Sequence, residues 1–148
     1  HDWGPACHES STPGATARWN IHVPQTDIYT IEAWYPSDPR AIRRSQNVLY
    51  EVVSGGNVVM ASTTLDQTAG GDQWHLIAEL RLTAEDAPFV RLTCTEPKPC
   101  IADALHVTSM ARYNDGLLAP TVTLQPMDGI VLERAGAQGD SDPVEEIR

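Results

Sequence analysis

The sequence predicts an all-β fold, an antiparallel β-sandwich of the jelly-roll-like, carbohydrate-binding-module type. Three observations predict it. Apolar and polar side chains alternate with a period of two along most of the chain, as they do on a strand with one buried face. The alternating runs are short and recur every 8 to 12 residues with turn residues between them, as in sandwiches and barrels. Only "DPRAIRRSQ" (38–46) suggests a helical turn, and it is too short to act as a scaffold helix.

Taken in order, the first clear strand runs from Tyr29 to Tyr35, "YTIEAWY". Tyr29, Ile31, Ala33 and Tyr35 share one face of it and are expected in the core. Thr30, Glu32 and Trp34 share the other, with Ile28. "NVLYEVVSGGNVVMASTTLD" (47–66) gives two β-branched runs joined by "SGGN", read as a hairpin whose paired glycines supply the positive φ of the turn. "QWHLIAELRLT" (73–83) sets Trp74, Leu76, Ala78, Leu80 and Leu82 on an inward face and His75, Glu79 and Arg81 on a wet one. "PFVRLTC" (88–94) and "IADALHVTSM" (101–110) read as two strands flanking a cysteine-bounded turn. "TVTLQPMDGIVLER" (121–134) reads as a further pair around Met127, Asp128 and Gly129.

The 148 residues suit one domain with a real core. Residues 1–16 read as a leader segment packing on the domain, 17–134 as the sandwich, and 135–148 as an acidic, flexible tail. A net charge of −10 disfavours nucleic acid as a partner, because the field of the molecule repels a phosphate backbone. No apolar run approaches the roughly 18 residues that a membrane-spanning helix needs.

Cys94 and Cys100 enclose "TEPKP", a short proline-bearing turn, and are expected to form a disulfide across it, which favours a secreted or extracytoplasmic setting. Cys7 is either a free thiol or one end of that bridge in place of another cysteine. Three cysteines without a CxxC spacing do not suggest a metal site.

The order of short motifs carries a resemblance. "ARWNIHVP", "IYTIEAWYP", "LYEV" with "GG", "LDQTAGGDQWHLIAEL", "FVRLT" and "ADALHV" span about residues 17–107 and resemble the golvesin or xanthan-lyase carbohydrate-binding-like domain. That resemblance implies a β-sandwich module, often appended to secreted enzymes acting on polysaccharides, with no catalytic residues of its own. The chain departs from the family pattern at Asp27, where a glycine is usual, and in the cysteine-bounded turn.

Strand parity makes Trp34 the candidate binding platform. An outward indole beside Glu32 and Thr30 suits a sugar ring, whose C–H face stacks on a π-system while its hydroxyls hydrogen-bond. Trp19, Tyr29, Tyr35 and Trp74 are expected to be structural. So is Asp103, which if buried must accept hydrogen bonds from backbone or from a polar partner such as Gln67. Asp66, Asp72 and Asp115 are hard oxygen ligands in acidic turns and the candidates for calcium, although solvated turn residues explain them as well. No nucleophile motif or phosphate loop is present.

The sequence thus reads as a secreted, non-catalytic module that binds a polysaccharide or glycan, accessory to an adjacent catalytic domain and needing no cofactor. A second reading is a structural or protein-interaction module of an extracellular assembly. A third is a small hydrolytic or copper-dependent enzyme, the copper held by His1 at the start of the chain and a second histidine.

Overall fold

The computed structural model describes residues 7–110, together with the backbone of 121–124 and 130–133. It is an all-β sandwich whose strand pairs are antiparallel. The strands are β1 (His8–Ser10), β2 (Thr16–Asn20), β3 (Asp27–Tyr35), β4 (Val48–Val53), β5 (Val59–Leu65), β6 (Gln73–Leu82), β7 (Phe89–Thr93), β8 (Cys100–Ala102), β9 (Ala104–Ser109), β10 (Thr121–Leu124) and β11 (Ile130–Glu133). One sheet has the order β10-β9-β3-β6 and the other the order β11-β2-β7-β4-β5, while β1 and β8 form a two-stranded ribbon. The short basic segment turns once as a 3-10 helix, Ala41–Arg43.

The inward faces of the two sheets meet in one apolar cluster. Trp19, Val48, Tyr50, Val52, Val90 and Leu92 come from the five-stranded sheet, and Tyr29, Ile31, Ala33, Ile77, Leu82 and Leu105 from the four-stranded one. Period-two patterning therefore matches the burial along β2 and most of β3, β4 and β7, while Trp34, Val53 and Phe89 are buried against the alternation. Burial of such side chains supplies the main favourable term for the fold, at roughly 25 cal/mol for each Å² of apolar surface removed from water.

Four local expectations are corrected. The β4–β5 hairpin forms, but its left-handed residue is Asn57 at φ 61°, and neither Gly55 nor Gly56 has a positive φ. Asparagine tolerates that conformation because its short amide can bond locally. The cysteine-bounded turn does not close a hairpin, since β7 pairs with β2 and β4 while β8 pairs with β1. The run 101–110 breaks at Asp103 into strands of two different sheets, β8 and β9. Lastly, β10 and β11 do not pair with each other but extend opposite sheets.

The correction that matters for function lies in β6. Ile31 of β3 is opposite Ala78, yet the next residue, Glu32, is opposite Leu76. Ile77 is therefore extra, a β-bulge in which two residues of one strand oppose one of the other. Ala78 and Ile77 both enter the core, and every residue from Leu76 back to Gln73 changes face. Leu76, expected inside, is 59% exposed. Trp74, also expected to be structural and inward, stands on the outer face opposite Trp34. His75, expected on the wet face, turns inward and stacks on Tyr35 with ring centroids 4.9 Å apart.

The turn between β5 and β6 is fixed from several directions. The Tyr35 hydroxyl lies 3.0 Å from the Asp66 carbonyl and 2.8 Å from that of Ala69. His75 Nε2 is 2.7 Å from the Gly70 carbonyl. Asp72, at φ 60°, accepts from the Ser37 N–H at 3.0 Å. Gly71 lies so close to Ser37 that a Cβ there would be 2.5 Å from its backbone nitrogen. A glycine is thus required where two backbones meet.

Candidate functional site

The bulge and the register place a continuous set of side chains on the outer face of the four-stranded sheet. One cross-strand row is His106 on β9, Glu32 on β3 and Leu76 on β6. The next row is Ala104, Trp34 and Trp74. On the other side lie Thr108, Thr30 and Glu79, and beyond them Ile28 and Arg81.

Trp74 and His106 stack across this face, with ring centroids 3.2 Å apart and planes 19° from parallel. They belong to strands separated by β3, and neighbouring strands are about 4.8 Å apart. Both rings must therefore lean over β3 to meet. Under that arrangement Trp34, outward by parity as expected, is only 6% exposed. The expectation of an open Trp34 platform is corrected accordingly: the indole that retains access to solvent in this pair of rows is the half-buried Trp74.

Glu32 lies on the outer face, where parity places it. Its carboxylate Oε2 is 3.9 Å from His106 Nδ1, and its side chain remains 34% exposed. Burial lowers the His106 pKa below its ordinary 6.5, so at neutral pH the imidazole is uncharged and Glu32 keeps its acceptor positions for other donors. Thr30, half-buried on the same face, donates its hydroxyl to Met110 Sδ at 3.8 Å. An indole, a carboxylate acceptor and exposed apolar Leu76 thus lie within two rows of one sheet.

The outer face of the five-stranded sheet is different in kind. Arg91 meets the Glu51 carboxylate through Nε at 2.9 Å, and the Arg18 guanidinium lies 3.6 Å above the Phe89 ring. Its charged groups are engaged with one another, and the aromatic ring there is covered by a cation.

The remaining sequence candidates are placed as follows. Trp19, Tyr29 and Tyr35 are buried in the core as expected, with the Tyr29 hydroxyl donating to the Gln25 carbonyl at 2.8 Å. Gln67 and Asp103 are both buried, but the Gln67 amide serves Ile101 and Tyr50. Asp66 accepts from the Thr68 N–H at 2.8 Å within its own turn, and Asp72 accepts from the Ser37 N–H, tying its turn to the end of β3. Asp115, His1 and the tail 135–148 lie outside the described residues. Among the described residues no group of three His, Cys, Asp or Glu side chains could hold a metal ion. No helix there is long and apolar enough to cross a membrane.

Cys94 and Cys100 are free, buried thiols in this structure rather than a closed bridge. They are nonetheless hydrogen-bonded to each other, which lowers the Cys94 pKa and, with burial, raises that of Cys100. Cys94 also contacts the Ser10 carbonyl at 3.7 Å, and Cys100 that of Lys98 at 3.6 Å.

The sequence missed Trp74 because its β-bulge has no local signature. Leu76, Ile77 and Ala78 are three consecutive apolar residues, and either parity can be drawn through them. Comparison with known families finds that the Golvesin C-terminal domain matches residues 5–109. No curated protein and no solved structure matches the chain.

Proposed function

The chain belongs to the Golvesin C-terminal domain family, and on that premise we propose that it is an extracellular, non-catalytic module that binds carbohydrate and serves as an accessory to a polysaccharide-acting enzyme. The observation that carries the reading is Trp74 on the outer face of the four-stranded sheet, one row from the Glu32 carboxylate. Sugars present an apolar C–H face and a ring of hydroxyls, and the two side chains answer those two features. Thr30 and Leu76 extend the same face, with the buried Trp34 in the Trp74 row.

Retention on a panel of soluble and insoluble polysaccharides tests this reading. Trp74→Ala is expected to weaken binding by about 1–2 kcal/mol, roughly tenfold, as one lost stacking contact does. Glu32→Gln keeps the shape and removes the charged acceptor, and is expected to weaken binding by a smaller factor. A panel on which the wild-type chain binds no glycan would move the reading to the second one, a protein-interaction module. The observation favouring that alternative is the exposure of Ile28 and Leu76 on the same face.

An extracellular setting also gives the two cysteines a role. In an oxidising compartment the adjacent thiols of Cys94 and Cys100 are expected to close as a disulfide, each losing a proton and an electron to a disulfide-bearing oxidant that is reduced to two thiols. The loop is short, so the added stability is about 2 kcal/mol. Non-reducing peptide mapping of secreted protein should recover the two cysteines in one linked species. Recovery of Cys94 and Cys100 as separately alkylated thiols would contradict it.

A further inference from the structure

We propose that His106 is a positioning residue that makes ligand binding at this face dependent on protons, so that the glycan binds with neutral imidazole and is released in acid. The inference rests on the carbohydrate reading above and adds the regulation of that site.

The geometry gives the imidazole two partners. One face of it lies against Trp74, and its Nδ1 points toward Glu32 at a distance, 3.9 Å, too long for a hydrogen bond. With the ring neutral, Trp74 is held in place by stacking and the Glu32 carboxylate accepts from ligand hydroxyls. Protonation changes both. The new N–H and positive charge draw Glu32 into an ion pair and occupy the acceptor that the ligand uses. The cation also pulls π density of Trp74 toward itself, and weakens the indole's attraction for sugar C–H groups on its other face.

Among the residues in register around His106, Glu32 is the charged one in its own row. On β3 the next outward residue is Thr30, and on β10 the residue in register with His106 is Thr123. On β6 the residue in its row is Leu76, with Glu79 one row away and Arg81 two rows away. Burial holds the imidazole neutral at physiological pH, so the transition falls below 6.5. Binding and protonation are reciprocal: a ligand that prefers neutral His106 must lower its pKa further.

Two readouts test the proposal on the full chain. A protonated imidazole in contact with an indole quenches its fluorescence, so tryptophan emission should fall as pH is taken from 8 to 5. That fall should be absent in both His106→Gln and Trp74→Phe. Retention on the polysaccharide that binds wild type best should weaken at least threefold, on the order of an exposed ion pair, as pH falls from 7.5 through the range in which the emission changes. It should stay flat with pH in His106→Gln. Glu32→Gln is the second variant, expected to bind more weakly at pH 7.5 and to show a smaller loss in acid than wild type, because only the effect through Trp74 remains. No emission change, or one that persists in His106→Gln, overturns the stacked pair as a proton sensor. A normal emission titration with pH-independent retention overturns the gating and leaves the carbohydrate reading standing. A normal titration with no retention at any pH overturns the carbohydrate reading, and the gating with it.

Discussion

Replacing Tyr35 by alanine is expected to destabilise the domain by about 3–5 kcal/mol, the range for deleting a buried aromatic side chain. Tyr35 is 1% exposed, stacks on His75, and places its hydroxyl against the carbonyls of Asp66 and Ala69. The substitution removes ring packing and the donor that closes the turn between the two sheets. Tyr35→Phe separates the two contributions, because it keeps the ring and should cost about 1–2 kcal/mol. Urea unfolding of both variants measures the difference. A loss below about 1 kcal/mol for Tyr35→Ala would show that the turn closes without it. The same phenol has its pKa pushed up to about 12, first by burial and then by Asp66. The folded state therefore keeps a proton that the unfolded chain releases near 10. The associated stability is complete below pH 10 and is lost as pH rises through about 12.

Gln67→Met should have the second-largest effect, about 2–4 kcal/mol, even though the replacement is of similar size and more apolar. Gln67 is fully buried and works as an artificial piece of strand beside β8. Its Nε2 donates to the Ile101 carbonyl at 2.8 Å, and its Oε1 accepts from the Ile101 N–H at the same distance. Nε2 also reaches the Tyr50 hydroxyl at 3.3 Å, tying β8 to the core of the five-stranded sheet. A thioether leaves both Ile101 backbone groups buried and unbonded, each at a cost of about 1–3 kcal/mol. Equilibrium unfolding gives the value, and amide exchange at Ile101 gives the place: its N–H should lose protection before those of β3 and β4 do. Wild-type stability and protection in Gln67→Met would contradict this role.

Much of the fold was legible because its strands obey a simple period. On β3 the parity of Tyr29, Ile31, Ala33 and Tyr35 placed Tyr35 in the core, while Trp19 was placed there by its motif position. The family resemblance rested on the same strands. Pairing was less accessible, since strand partners are set by contacts distant in sequence. The turn at "TEPKP" looks local, yet it carries the chain from one sheet to a ribbon with β1. The binding face was half legible. Glu32 and Thr30 stand where parity put them, but Trp34 is buried, and strand parity gives a side chain's face without its exposure. Trp74 was expected inside because one inserted residue, Ile77, inverts everything that precedes it along β6. Sequence alternation counts residues, and a bulge makes the count and the face disagree.

The central claim is that the outer face of the four-stranded sheet, led by Trp74, binds carbohydrate. Calorimetric titration with the polysaccharide that wild type retains most strongly tests it directly, comparing wild type with Trp74→Ala and with Arg18→Ala on the opposite sheet. The account predicts roughly tenfold weaker binding for Trp74→Ala and unchanged binding for Arg18→Ala. Unchanged binding by a folded Trp74→Ala, with loss of binding by Arg18→Ala, would contradict it and move the site to the other face of the sandwich.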